Sequence, residues 1–213
     1  MKLIERIKQT SKNYYSNLQN TQQESTKVGW KNTYAQEIRF QQFLRSFHFT
    51  DDITINDLGC GLAGFYTFFS NHFPEIKFTY YGYDILPEMV EEASKKFQDV
   101  PNVKIKLIQH ANEMEHADYV FASGIFNLKF EVPDQEWYEY ITSTVKTMYA
   151  MCRKGISFNC LTSYSDKEYM KPELYYTNPG QIFDFCKRNL SRNVALYHDY
   201  NEYDFTISVI KEF

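Results

Sequence analysis

One short segment of the sequence has the spacing of a ligand-binding turn. Asp57-Leu58-Gly59-Cys60-Gly61-Leu62-Ala63-Gly64 follows a β-branched run, and Gly59, Gly61 and Gly64 fit the pattern GxGxxG. Glycines at such a turn let the backbone approach a ligand closely. Asp84 stands 20 residues after Gly64, at the end of the next predicted strand, where a carboxylate meets ribose hydroxyls. The glycines alone suit a nicotinamide or flavin dinucleotide and S-adenosylmethionine about equally. Asp57 separates the two. A dinucleotide lays its pyrophosphate over this turn, against a helix N-terminus, and a carboxylate two residues before the first glycine sets like charge beside it. S-adenosylmethionine presents an ammonium group there, near its sulfonium, and the same carboxylate attracts it.

These residues need elements to hold them. Ile53 to Leu58 reads as a strand, Leu62 to Phe73 as a helix and Lys77 to Asp84 as a second strand. Pro87 opens a helix whose apolar stripe is Leu86, Met89, Val90, Ala93 and Phe97. Val103 to Gln109 and Ala117 to Ser123 are further strands. Asp134 is placed as the cap of a long helix with Trp137, Ile141, Val145, Met148 and Cys152 on one side. Gly155 to Leu161 is the fifth strand, and Asn178-Pro179 starts another helix. The chain closes on two strand-like segments, Asn193 to Tyr200 and Asp204 to Phe213, too close together to be anything but an antiparallel hairpin. Upstream, apolar residues from Trp30 to Phe47 predict a helix, Leu3, Ile4 and Ile7 share helical spacing, and Ser16 to Lys27 reads as a polar loop. The alternation predicts an α/β fold, a doubly wound, mostly parallel sheet with an antiparallel C-terminal hairpin strand. Residues 1–29 are expected to form a helical and loop segment able to act as a lid, and residues 30–213 a single domain.

Bulk properties exclude several functions. Twenty-three basic residues against 27 acidic ones give a net charge of −4, with no basic run longer than a pair, so nucleic acid is a poor partner. Cys60, Cys152, Cys160 and Cys186 show no zinc-ligand spacing and read as reduced, buried thiols of a cytoplasmic protein; no metal is expected. No stretch reaches the length of a membrane span, and no membrane partner is expected. Aromatic residues make up 18% of the chain, which suits either a core or the wall of a pocket.

The segment NDLGCGLAGF resembles the first motif of the class I S-adenosylmethionine-dependent methyltransferases, and YYGYDILPEMVEEA resembles their second. The likeness spans about Trp30 to the end. It implies a Rossmann-like, seven-stranded sheet with a reversed last strand, S-adenosylmethionine as cofactor and S-adenosylhomocysteine (SAH) as product. It also implies that Asp84 binds the ribose hydroxyls, with Ile85 against the adenine and the turn Gly59-Cys60-Gly61 beneath. Where the family often has an acidic residue after the third strand, this chain has Gln109-His110-Ala111-Asn112, and Asn112 or the nearby backbone could take that place. The loop Ser123-Gly124-Ile125-Phe126-Asn127 lacks the Asn/Asp-Pro-Pro-Tyr pattern of members that methylate nucleic acids or glutamine, which favours a small-molecule acceptor, sugar-like or otherwise, methylated on O or N. Ser123 and Gly124 join the cofactor set. Arg39 could pair with the ligand's carboxylate or lie solvated on its helix, and Trp30 could cover the cofactor or plug the core.

Acceptor candidates sit beyond strand C-termini, where open α/β sheets bind ligands: Asn127, Thr162 and Tyr164, with Tyr14 and Tyr15 as a wall or as ordinary aromatic packing. His110 and His198, near predicted strand ends, are candidate general bases, and Tyr164 a further catalytic candidate. Two other readings stay open: a nicotinamide-dependent oxidoreductase, and a cofactor-binding protein without catalysis.

Overall fold

The structure, a computed structural model, describes residues 3–18, 21 and 23–211. Three helices come first: α1 (Leu3–Ser16), α2 (Glu24–Lys27) and α3 (Thr33–Leu44). Next come β1 (Ile53–Leu58), α4 (Gly64–His72), β2 (Phe78–Asp84), α5 (Pro87–Lys96) and β3 (Val103–Leu107). A single 3-10 turn at Ala111–Glu113 leads to β4 (Ala117–Ala122), α6 (Asp134–Met151) and β5 (Cys152–Leu161). A second such turn precedes α7 (Pro179–Asn189) and the hairpin β6 (Val194–Tyr197) and β7 (Asp204–Ile210).

The seven strands pair in the order β3-β2-β1-β4-β5-β7-β6. The first five are parallel, β7 runs antiparallel to β5 with Leu161 opposite Asp204, and β6 is antiparallel to β7. Strand order therefore reverses between β1 and β4, whose connections leave in opposite directions and open a crevice at their C-terminal ends.

Each face of the sheet carries its own core. On one, α3 and α4 bring Phe40, Phe43, Phe65, Phe68 and Phe69 against Ile53, Ile55, Tyr80 and Phe121. Some rings meet tilted, as at Phe65–Phe121 with centroids 4.8 Å apart, and others stack, as at Phe43–Phe121 at 5.9 Å. Much of the chain's aromatic content is spent on this layer. On the other face, Trp137, Ile141, Val145 and Met148 of α6 and Ile182 and Cys186 of α7 cover Val120, Ile156, Phe158 and Ile207. Ile7 of α1 joins this second core.

Several boundaries differ from expectation. Ser16 to Lys27 is not all loop, because α1 reaches Ser16 and Glu24–Lys27 forms a short helix. Asp134 does not cap α6: Pro133 holds that position, and the Asp134 carboxylate pairs with Lys129 at 3.1 Å. Cys152 begins β5 rather than ending α6, since the strand follows the helix with no intervening residue. Asn178 does cap α7, accepting from the Gln181 N–H at 3.1 Å. The predicted last strand ran to Phe213, and its final two residues lie outside the described ones. Among the described residues, no helix is long and apolar enough to cross a membrane and no cluster of side chains could hold a metal ion.

Candidate functional site

The chain leaves β1 through Gly59 (φ +76°) and Gly61 (φ +52°), both in the left-handed region. Gly59 and Cys60 donate their N–H groups to the Tyr83 carbonyl at 2.7 and 3.0 Å, which ties the turn to β2. The turn is also packed by the chain itself. A β-carbon on Gly59 would lie 2.1 Å from Ile125 Cγ2, and one on Gly61 would lie 2.8 Å from Val28 Cγ1.

Asp84 is held from two sides. Its Oδ2 accepts from the Gly61 N–H at 2.9 Å and its Oδ1 from the Leu86 N–H at 3.0 Å, so the carboxylate bridges the glycine turn and the start of α5. Burial raises its pKa, and those backbone donors oppose the rise. Asp57 is 4% exposed and accepts from the Tyr80 hydroxyl at 2.6 Å. Burial pushes its carboxyl up to about 7, against the Tyr80 hydrogen bond, with the Asp84 charge adding to the rise. Neither carboxylate has an ion-pair partner among the described residues.

Both line a cavity of about 800 Å³, near the upper end for ligand sites. Gly59, Cys60, Gly61 and Ile85 line it with them, as do Gln109, His110 and Asn112. Ser123, Gly124, Asn127, Leu128, Leu161, Lys171 and Leu174 line it as well. The Ser123 hydroxyl oxygen is buried there without a hydrogen-bond partner. Two buried carboxylates lacking a cation, together with an orphaned hydroxyl, fit a ligand that brings positive charge and several polar groups.

The roof comes from the N-terminal segment: Ile4, Ile7, Ser11, Tyr14 and Tyr15 of α1, then Val28 and Trp30. Tyr14 and Tyr15 meet edge-on at 5.1 Å, and Tyr14 reaches Phe130 at 6.3 Å. Burial, and then the Asp84 charge, push the Tyr15 hydroxyl pKa upward.

The structure thus gathers Asp57, Gly59, Cys60, Gly61, Asp84, Ile85, Asn112, Ser123, Gly124, Trp30, Asn127, His110, Tyr14 and Tyr15 around one cavity. Four candidates are not brought there. Arg39 is a buried structural cation: its Nε donates to Asp204 Oδ2 at 2.5 Å and its Nη2 to Glu202 at 3.0 Å. Thr162 is 2% exposed, in a bridge with Thr177, and its Oγ1 accepts from the Tyr164 N–H. Tyr164 is 76% exposed, and its ring lies 5.9 Å from that of His198, which in turn packs on Phe205. His198 follows β6 at the edge of the sheet, and Tyr164, in the loop after β5, turns toward it; neither lines the cavity. His110 lines the cavity, and its backbone is tied into the 3-10 turn: its N–H donates to Glu113 Oε1 at 2.7 Å and its carbonyl accepts from the Glu113 N–H at 3.0 Å.

Other residues of the site were missed. Tyr80, the partner of Asp57, lies on a strand rich in tyrosine, where nothing local distinguishes it. Lys171 and Leu174 lie in a loop whose path depends on the Leu128–Leu174 bridge. A stripe of Tyr140, Ser143, Thr144 and Thr147 on α6 also lines the cavity, and its helical spacing beside the apolar stripe was legible.

No family model matches the chain. It is 43% identical over 168 residues to a Mycobacterium tuberculosis protein named as a putative methyltransferase, covering 79% of this chain and 99% of that one. The fold is similar to that of magnesium protoporphyrin IX methyltransferase from Synechocystis, solved with bound SAH, at a TM-score of 0.65 and 13% identity over 98% of this chain and 97% of that one. It is also similar to the CurJ carbon methyltransferase, at a TM-score of 0.63 and 11% identity over 89% of this chain and 58% of that one. At such identities these two are likenesses of fold.

Proposed function

The chain belongs to the class I S-adenosylmethionine-dependent methyltransferases, and from that premise we propose that it methylates an oxygen or nitrogen of a small acceptor. The observation that carries this reading is the single cavity, continuous from Asp57 and Asp84 past Ser123 to Asn127, Leu161 and Leu174, and roofed by α1. A space of about 800 Å³, roofed in part by α1, favours a donor and a small second molecule over a polymer. The acidic balance of the chain agrees.

When bound, S-adenosylmethionine supplies a methyl group already activated on a sulfonium. Asp84 would hold the ribose hydroxyls, Ile85 would lie against the adenine with Asn112 at its rim, and ionised Asp57 would face the ammonium group. Ser123 would spend its orphaned hydroxyl on the donor. Asn127 would flank the acceptor, and Trp30, packed on Gly124, would cover the donor. Alignment of this kind can supply ~7 kcal/mol or more of a barrier in the best intramolecular cases. His110 is the candidate base that reaches the cavity, and it matters only if the acceptor must lose a proton.

We read residues 1–29 as a lid on the domain 30–213, since α1 contributes the roof. Four buried, unbridged cysteines favour a reducing compartment such as the cytoplasm. The test is SAH formation from S-adenosylmethionine with separate panels of hydroxylated and aminated small molecules, RNA, DNA and protein. SAH formed with a small hydroxyl or amine acceptor supports the reading. Turnover confined to a polymer, or a product methylated on carbon, overturns it.

A further inference from the structure

The buried Arg39 raises the question of what an arginine does so far inside the fold. Its guanidinium lies 4.6 Å over the ring of Trp30. Trp30 in turn packs on the bare backbone of Gly124 (φ +78°), where a β-carbon would lie 2.9 Å from Trp30 Cζ2. The Gly124 N–H donates to Asn159 Oδ1 at 2.9 Å, and Asn159 Nδ2 donates to Asp204 Oδ2 at 2.7 Å. That same oxygen accepts from Arg39 Nε at 2.5 Å. The contacts close into a ring through α3, β7, β5 and the loop after β4. Trp30 and Gly124 line the cavity, whereas Arg39, Asn159 and Asp204 do not.

We propose that Arg39 is a positioning residue, which sets the Trp30–Gly124 wall of the cavity through this buried ring. The proposal rests on the reading of the cavity as the donor and acceptor site. Chemistry favours arginine for the task. A planar guanidinium can stack on an aromatic face and fork to carboxylates in its own plane at once, which a lysine ammonium cannot. Asp204 is fully buried, so its charge depends on Arg39, and the Asn159 amide passes that fixed position to the Gly124 N–H. The ring leaves Ser123, next to Gly124, with its hydroxyl free for a ligand.

Trp30 and Trp137 are the two tryptophans, so comparison with W30F isolates the Trp30 fluorescence. The neutral pair R39M/D204N removes the fully buried charge pair together and leaves only the part-exposed Glu202 without its cation, and R39K keeps the charge without the stacked plane. In both variants, folded by circular dichroism, acrylamide quenching of Trp30 should rise about twofold and the SAH dissociation constant about tenfold. W30L should weaken SAH binding comparably, and W30L added to R39M/D204N should add less than about threefold, because residues acting through one another are not additive. Unchanged Trp30 quenching in both folded variants, or effects of W30L and R39M/D204N that multiply in full, would overturn the proposal. If the wild-type protein takes no SAH, the functional reading fails, and quenching alone decides for or against Arg39.

Discussion

Asp57 is the residue whose protonation most directly reports the character of the site. Burial holds its carboxyl at about 7, against an ordinary value of 3.8. Between those values the unfolded chain has lost a proton that the folded chain keeps. The ligand-free protein should therefore lose stability as pH rises from about 4 to about 7 and level off above, by up to ~1.4 kcal/mol per pH unit from this group. The buried Asp84, also raised, contributes with the same sign. A cationic donor prefers the ionised carboxylate, so its affinity should run the other way, weakening by as much as tenfold per unit below about pH 7. D57N should flatten both profiles. Urea unfolding and S-adenosylmethionine titration of the two proteins at several pH values between 5 and 8 would check this, and a wild-type affinity independent of pH would refute it.

The elements around that residue were unevenly legible in the sequence. Strand β1 and the start of α7 announce themselves through β-branched residues, a glycine cluster and an Asn-Pro cap, all local signals. What each element packs against is not local. Arg39 finds Asp204 at a separation of 165 residues, so its helix reads as easily solvated as buried. Thr162, Tyr164 and His198 all follow strands, and the sequence does place them near the ends of strands. It does not say that β7 inserts beside β5 and pushes β6 to the rim, away from the crevice. Two element-scale outcomes follow from the packing. Gly59→Ala puts a side chain at φ +76° and against Ile125, so it should cost about 2–5 kcal/mol, the sum of left-handed strain and overpacking. I125A should recover part of that loss in chemical denaturation, and no recovery would mean that the turn, not the contact, sets the cost. For α1, the Lys12–Glu88 pair at 2.7 Å is more than half exposed and worth under about 1 kcal/mol. Ile7, 7% exposed, is the stronger anchor, at about 2 kcal/mol or more on truncation to alanine. I7A should thus speed SAH release about tenfold or more with the sheet still folded, as stopped-flow displacement would show. An unchanged release rate would mean that α1 is not the lid.

At the scale of the whole molecule, strand order does the positioning. Reversal between β1 and β4 opens one crevice, the phenylalanine layer and the α6–α7 layer hold its two sides rigid, and the N-terminal helices close its top. The cavity that results carries Asp84 for the ribose and a second buried carboxylate, Asp57, where a dinucleotide would bring a pyrophosphate. The most direct test is calorimetric titration of the wild-type chain and D84N with S-adenosylmethionine, SAH and NADH. The account predicts that wild type binds the first two and not NADH, and that folded D84N binds them at least about tenfold more weakly, the loss of charge-assisted hydrogen bonds. Binding of NADH, or S-adenosylmethionine affinity unchanged in folded D84N, would contradict it.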